Sequence, residues 1–276
     1  MTNSAPPPSS SSSARVEIIT LPISHFLKFD LEPQLISIIN RGYNKPRFKY
    51  GVIDTPRVKK SLMDDFQIDL EMMDDVWVSL VFVLGKPGKE TGTGKVEVKF
   101  DSKDSGSELT RKLIQKYPIG SLNFDNSSFS RETTETIDSI ITKSTQKLHQ
   151  ILSSTTTTQI EFQILGTIAI KPYSTTIPQN YTITAYTSFY PRISILLFNH
   201  ITKFAKHQLG AKKIWIDVIE EHDLVEFYDK LGFVFVERVT CKVDPVSKAL
   251  VGEDGGLEGG IRANSDFHLV LMYLDL

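Results

Sequence analysis

Glu220, Glu221 and His222 stand in a row directly after the apolar run Lys213 to Ile219. Two carboxylates beside an imidazole that titrates near neutral pH make a candidate general base. For each residue taken singly, a solvated acidic turn is the competing reading. Asp217 sits between Ile216 and Val218 in a pattern that reads as strand, where an Asp is disfavoured. If buried it needs a partner, or it faces a substrate. Lys45, Arg47, Lys49, Arg57, Lys59 and Lys60 form a basic cluster, either a solvated face or an attraction for an acidic partner. Gly92-Thr93-Gly94-Lys95 is not a phosphate-binding P-loop, because Lys89 stands where the motif needs its first glycine. The six histidines show no metal-ligand spacing, and the single cysteine, Cys241, cannot supply one, so no metal is expected.

The chain that must position these groups has 276 residues, 40% of them hydrophobic and 23% charged. That composition can bury a real core and excludes wholesale disorder. With 31 basic against 33 acidic residues the net charge is −2, so no excess of positive charge awaits nucleic-acid phosphates. One cysteine cannot form an internal disulfide. No apolar run approaches the roughly 20 residues that span a bilayer, and no basic start precedes an apolar stretch at the N-terminus. A soluble cytoplasmic protein is expected, with the nucleus also open to it, and neither nucleic acid nor membrane as partner.

Residues 1–14, mostly Ser, Pro and Ala, read as a disordered tail, and residues 15–276 as one domain. A strand is expected around Val16 to Thr20. A helix is expected from Phe29 to Tyr43, capped by Asp30, with Pro33 in its first turn and Leu35, Ile36 and Ile39 on one face. Asn44 to Arg57 reads as a loop and Val58 to Leu70 as holding a short helix. Val76 to Leu84 is a buried strand pattern. Residues 101–159 read as an insertion, with helical patterns at Ser107–Tyr117 and Glu132–Leu152; a strand at Val96–Phe100 precedes it. The C-terminal half is the most regular. Strands are expected at Ile160–Ile170, Tyr181–Thr187, Lys213–Ile219, Phe233–Val243 and Phe267–Leu274. Helices are expected at Arg192–Leu209, stopped by Gly210, and at Asp223–Leu231, opened by an acidic capping box of Asp223 and Glu226 and stopped by Gly232. Residues 251–263, rich in glycine, read as a flexible hairpin tip.

The stretch LLFNHITKFAKHQLGAKKIWIDVIEEHDLVEFYDKLGFV from Leu196, and above all FYDKLGF from Phe227 to Phe233, resembles the GNAT superfamily of acyl-CoA-dependent N-acetyltransferases. Ile38–Asn44 resembles the family's first helix, Ile164–Tyr173 the strand before its acetyl-CoA strand, and Asp266–Leu274 its last strand. The good match covers about 110 residues from Ile160 onward. The resemblance implies an α/β (α+β) fold, a central mixed sheet flanked by helices and splayed between the family's fourth and fifth strands, here Tyr181–Thr187 and Lys213–Ile219, with a long helical insertion. Diverging strands leave backbone donors unpaired, and acyl-pantetheine can bond to them as an extra strand. The helix that follows points its orphan N–H groups at the pyrophosphate.

The implied function is transfer of an acetyl group from acetyl-CoA, a co-substrate, to an amine of a small molecule or protein, by a monomer or homodimer. The alternative is a catalytically silent GNAT-fold protein acting as a binding or scaffolding module. Tyr228 is implied as the general acid to the CoA sulfur; Glu221 and His222 are candidates for the base. Thr184, Ala185, Tyr186, Thr187, Ser188, Arg192, Ile193 and Ser194 are implied on the cofactor, and Tyr43, with Phe48, on the acceptor side; Asp217, from its place in the strand, is the further substrate-side candidate. One departure matters. Where the family reads Gln/Arg-x-x-Gly-x-Gly/Ala, this chain has Ser188-Phe189-Tyr190-Pro191-Arg192-Ile193. The glycines that let backbone wrap a phosphate are absent, so the cradle is either rebuilt, with Arg192 as a fork-shaped donor, or lost.

Overall fold

A computed structural model describes residues 14–84, 122–123, 135–154, 163–174, 176–190, 192–251 and 260–276. The expected strand at Val96–Phe100, the helix at Ser107–Tyr117, Pro191 and nearly all of the N-terminal tail lie outside these residues, as do most of the insertion and the middle of the hairpin tip. The elements in chain order are β1 (Ala14–Pro22), α1 (Ile23–Lys28), α2 (Glu32–Tyr50), α3 (Leu62–Asp65), β2 (Trp77–Leu84), β3 (Leu122–Asn123), α4 (Ile137–Ser154), β4 (Ile164–Pro172), β5 (Asn180–Ser188), α5 (Ile193–Gln208), β6 (Lys213–Ile219), α6 (Val225–Lys230), β7 (Val234–Val243), β8 (Leu250–Val251) and β9 (Phe267–Asp275).

The strands form one sheet in the order β3-β1-β2-β4-β5-β6-β9-β7-β8. β1 with β3 and β5 with β6 are parallel; the other neighbours are antiparallel. This is the mixed α+β sheet that the resemblance implied. α2 covers one face, where Leu35, Ile38 and Ile39 pack with Phe26, Leu80 and Phe82. α5 covers the other, where Ile193, Leu197 and Ile201 pack with Leu165, Ile168 and Ile214. β2 and β4 are apolar along almost their whole length because they are buried on both faces. α4, the described helix of the insertion, lies on β1: Lys147 pairs with Glu17 at 2.7 Å and Ser144 Oγ accepts from the Thr20 N–H at 3.4 Å.

Three local expectations are corrected. α2 does not stop at Tyr43 but runs on through Pro46 to Tyr50, ending on Gly51 in the left-handed region. Pro46 costs one hydrogen bond, and the turn beyond it is kept. Asp30 does not cap α2; it has a φ of 54°, and Leu31 takes the cap position. The Asp223–Glu226 capping box does not form. A 3₁₀ turn over Glu220–His222 ends on Asp223 at φ 56°, α6 begins only at Val225, and Glu226 pairs instead with Lys230 at 2.6 Å. Val58–Leu70 holds only the single turn α3, capped by Ser61 Oγ accepting from the Asp64 N–H at 3.0 Å.

Candidate functional site

The site is made by a failure of pairing. β5 and β6 pair only from Asn180–Thr182 to Lys213–Trp215, although β5 continues to Ser188 and β6 to Ile219. Beyond Thr182 and Trp215 the strands part. On its other edge β5 slips against β4: Thr167 faces Thr187, yet Ala169 faces Thr184, one residue more on β5 than on β4. That bulge holds Ala185 at φ 49°, a left-handed conformation that costs a non-glycine residue free energy and often marks functional backbone. Glycines keep the neighbourhood tight. A Cβ at Gly42 of α2 would lie 2.3 Å from Thr187 Cγ2, and one at Gly166 of β4 2.7 Å from the Thr187 carbonyl oxygen.

A cleft of about 370 Å³ opens at the splay. α2 contributes Tyr43, β5 contributes Thr184 and Tyr186, β6 contributes Asp217, the turn after β6 contributes His222, and α6 contributes Tyr228. These six residues were expected on the cofactor, on the acceptor or in proton transfer, and they share one cavity. Tyr228 has its ring edge-on to Phe233 at 5.5 Å and to Phe227 at 5.2 Å. Burial first, then Tyr43 and Tyr186, pushes its hydroxyl well above the usual tyrosine range. It is therefore a protonated donor at neutral pH. Burial lowers the pKa of His222, against the opposing pull of Glu221 and Asp223. Its ring stacks on Tyr50 at 5.6 Å, and its buried Nε2 has no hydrogen-bond partner among the described residues. Asp217 is exposed on the cleft wall rather than buried in the strand.

Other expected site residues lie elsewhere. Glu221 does not line the cleft. Both its oxygens accept the His268 backbone N–H at 3.0 Å, and Oε1 lies 2.8 Å from His268 Nδ1. Burial works against its ionisation, but the His268 bonds hold it below the usual carboxylate range. Donor atoms of Glu220, Glu221 and His268 come within 4.8 Å of one another, a convergence that spacing did not reveal. Arg238 already sits on Glu220 at 2.7 Å, so part of the negative charge of the group is already paired within the protein. Phe48, 53% exposed, lies outside the cleft under the guanidinium of Arg47.

The corner after β5 is packed, not open. Tyr190 and Ile193 are core residues, and Phe189 lies beneath the Arg41 guanidinium, 3.9 Å from its ring centre. Ala185 and Thr187 are buried. The Phe189 N–H is spent on the Leu165 carbonyl and the Ile193 N–H on Tyr190. Ser188 Oγ donates to the Tyr190 carbonyl at 2.9 Å, and Tyr186 donates to the Ser194 carbonyl at 2.7 Å. Arg192 is exposed at the N-cap of α5 with φ 71°. The loop thus takes a glycine-like turn without a glycine.

Sequence reasoning missed the cations of the cleft. Arg47, Arg57 and Lys171 line it. Arg57 donates to Thr184 Oγ1 at 3.2 Å and lies over the Phe66 ring at 4.4 Å and the Tyr43 ring at 5.6 Å. Arg47 and Arg57 were visible as members of the basic cluster, but the cluster divides. Lys59 pairs with Asp65 at 3.6 Å, and the Lys60 N–H donates to the same carboxylate at 2.6 Å.

The family model described as Sporulation protein RMD6 matches residues 10–276. The chain belongs to the RMD6 family. Sporulation protein RMD6 of Saccharomyces cerevisiae (strain ATCC 204508 / S288c) is 27% identical over 248 residues, covering 90% of this chain and 89% of that one. This RMD6-family chain is also similar to solved structures. A probable acetyltransferase from Staphylococcus epidermidis ATCC 12228 matches 94% of it and 98% of its own length, at 9% identity and a TM-score of 0.43. An N-acetyltransferase from Staphylococcus aureus Mu50 matches 94% and 97%, at 11% identity and 0.39. A structure from Acinetobacter baylyi ADP1 matches only 41% of this chain and 57% of its own length, with a TM-score of 0.30. TM-scores this low carry no functional argument, and the fold assignment of this RMD6-family member rests on its own sheet. Among the described residues no helix is long and apolar enough to cross a membrane.

Proposed function

We propose that this protein is a cytoplasmic, GNAT-type N-acyltransferase that moves an acetyl group from acetyl-CoA to an amine in the cleft. The observation that carries the reading is the position of Tyr228, a protonated hydroxyl on a cavity that opens where β5 and β6 part. The pantetheine arm would extend along the free edge of β5, near the bulge at Ala185. The amine nitrogen attacks the thioester carbonyl carbon; a C–N bond forms and the C–S bond breaks. The amine proton passes to the neutral His222 imidazole, directly or through water. The departing thiolate takes the Tyr228 proton, giving amide and CoA thiol. The phosphates would lie at the start of α5, with Arg192 supplying the charge that glycine-cradled amides supply elsewhere.

A second reading is favoured by the packed corner. Phe189, Tyr190 and Ile193 are drawn into the core, as expected of a fold that has given up phosphate binding and serves as a binding module. The deciding experiment is release of free thiol from acetyl-CoA in the presence of a panel of amines, with Tyr228→Phe alongside. Amine-dependent release that falls in Tyr228→Phe supports transfer. No release with any amine, together with no acetyl-CoA binding, supports the module.

A further inference from the structure

The two walls of the cleft carry opposite charge. On the β4/β5 side, Arg57 is fixed by Thr184 Oγ1, the Phe66 ring and the Tyr43 ring, and the Lys171 ammonium donates to the carbonyl of the same Phe66. Arg47 adds a third cation from α2. Across the splay, on β6, Asp217 lies two residues past the last paired residue, Trp215. Tyr173 stacks on Trp215 at 4.9 Å and joins the same wall. Among the described lining residues there are thus three cations, two of them gathered at Phe66, and a single carboxylate, across the splay on β6. A polyamine or an unmodified lysine side chain would bring positive charge against the three cations. An acceptor with an anionic end matches both walls. Arg57 is the stronger determinant, because a guanidinium clamped between ring faces and a hydroxyl presents its fork with little ordering left to do. The volume of about 370 Å³ suits a small molecule.

We infer that the acceptor is a small amine carrying an oxyanion, a carboxylate or a phosphomonoester, with the anion on Arg57 and the ammonium directed to Asp217. This rests on the acyltransferase reading for the reaction, but not for the binding. In the complex the anion is neutralised by Arg57, with Lys171 and Arg47 beside it. The ammonium gives one proton to solvent as it turns from Asp217 toward the thioester, and the second leaves for His222 once the C–N bond forms.

The test is calorimetric titration of the full chain, with no acyl donor, using γ-aminobutyrate, O-phosphoethanolamine and diaminobutane as probes. One or both anionic amines should bind more tightly than the diamine, and which of them does so separates carboxylate from phosphate. Inorganic sulfate should compete with them. Arg57→Gln should lose about tenfold or more in their affinity, the loss of one charged hydrogen bond, and Arg57→Lys should fall between. The sulfate competition uses the unaltered chain, so it stands even if Arg57→Gln fails to fold. Diamine binding as tight as that of the anionic amines, sulfate without effect, unchanged affinity in a folded Arg57→Gln, or no anionic probe bound at tens of millimolar would each overturn the inference. Arg57-dependent binding without acyl transfer would sink the reaction and leave the specificity standing. Transfer to diaminobutane without anion dependence would do the reverse.

Discussion

The hydroxyl of Tyr186 donates a 2.7 Å hydrogen bond to the carbonyl of Ser194. That bond ties β5, beyond the point where it leaves β6, to the first turn of α5, and burial pushes the hydroxyl far above the usual tyrosine range, so the donor is permanent. Tyr186→Phe should cost about 0.5–1.5 kcal/mol, the range for one such bond. Urea denaturation measures it. Stability equal to that of the unaltered chain would mean the clasp is not maintained in solution.

Arg192 holds φ 71° at the N-cap of α5. A side chain there pays about 1–2 kcal/mol that glycine does not. Arg192→Gly should therefore be no less stable than the unaltered chain, while Arg192→Ala keeps the strain and should be the less stable of the two variants. Both should bind acetyl-CoA more weakly by about 1–3 kcal/mol, the range for a charged hydrogen bond. Identical affinity in both would make the Arg a bystander.

A methyl group at position 42 would meet Thr187 Cγ2 at 2.3 Å and Cβ at 2.4 Å. Gly42→Ala should cost about 1–3 kcal/mol through overpacking. Thr187→Ala should not rescue it, since the Thr187 Cβ is itself in the way. A double variant as stable as Thr187→Ala alone would show that α2 can lift from β5.

Three histidines, His25, His200 and His222, have folded pKa values below the ordinary 6.5, each mainly through burial, with His200 down to about 4. The unfolded chain takes up these protons first. Their contribution is therefore complete above pH 6.5 and is lost as pH falls toward 4. Thermal unfolding should show the midpoint dropping through that window. In His200→Asn the drop should be shallower, because His200, 2.7 Å from Thr20 Oγ1, has the largest span to titrate. An equal slope in the variant would contradict the assignment.

Tyr228→Phe keeps the ring contacts with Phe227 and Phe233 and removes only the donor. Turnover should fall by about 10²–10⁴-fold, the usual worth of a general acid or base, with acetyl-CoA affinity nearly unchanged. Unchanged turnover would remove Tyr228 as the acid.

How far the sequence could be read follows from the range of the interactions involved. β6 lies at Lys213–Ile219 as its apolar strand pattern implied, and Gly210 is left-handed just past α5, because both depend on local pattern. Tyr43, Thr184, Tyr186, Asp217, His222 and Tyr228 share a cleft because β5 and β6 part, and the resemblance had implied which strands those are. Arg57 could not be placed that way. Its loop is held by Asn40, whose side chain bonds both the N–H and the carbonyl of Val58 at 2.8 Å, and its partner Thr184 is 127 residues away. The partner of Glu221 could not be read for the same reason, since His268 lies 47 residues further on. α2 outran its expected end: the helix passes through Pro46, where local propensity would have ended it, and reaches Tyr50, whose ring stacks on His222.

Calorimetric titration with acetyl-CoA, and separately with CoA lacking its 3′-phosphate, tests the central claim most directly. Micromolar binding of acetyl-CoA is expected, weakened in Arg192→Ala, with the second ligand reporting whether the basic residues near the cleft reach the 3′-phosphate. No binding at millimolar acetyl-CoA would contradict acyl transfer and leave the packed corner of Phe189, Tyr190 and Ile193 as the mark of a fold that has given up its cofactor.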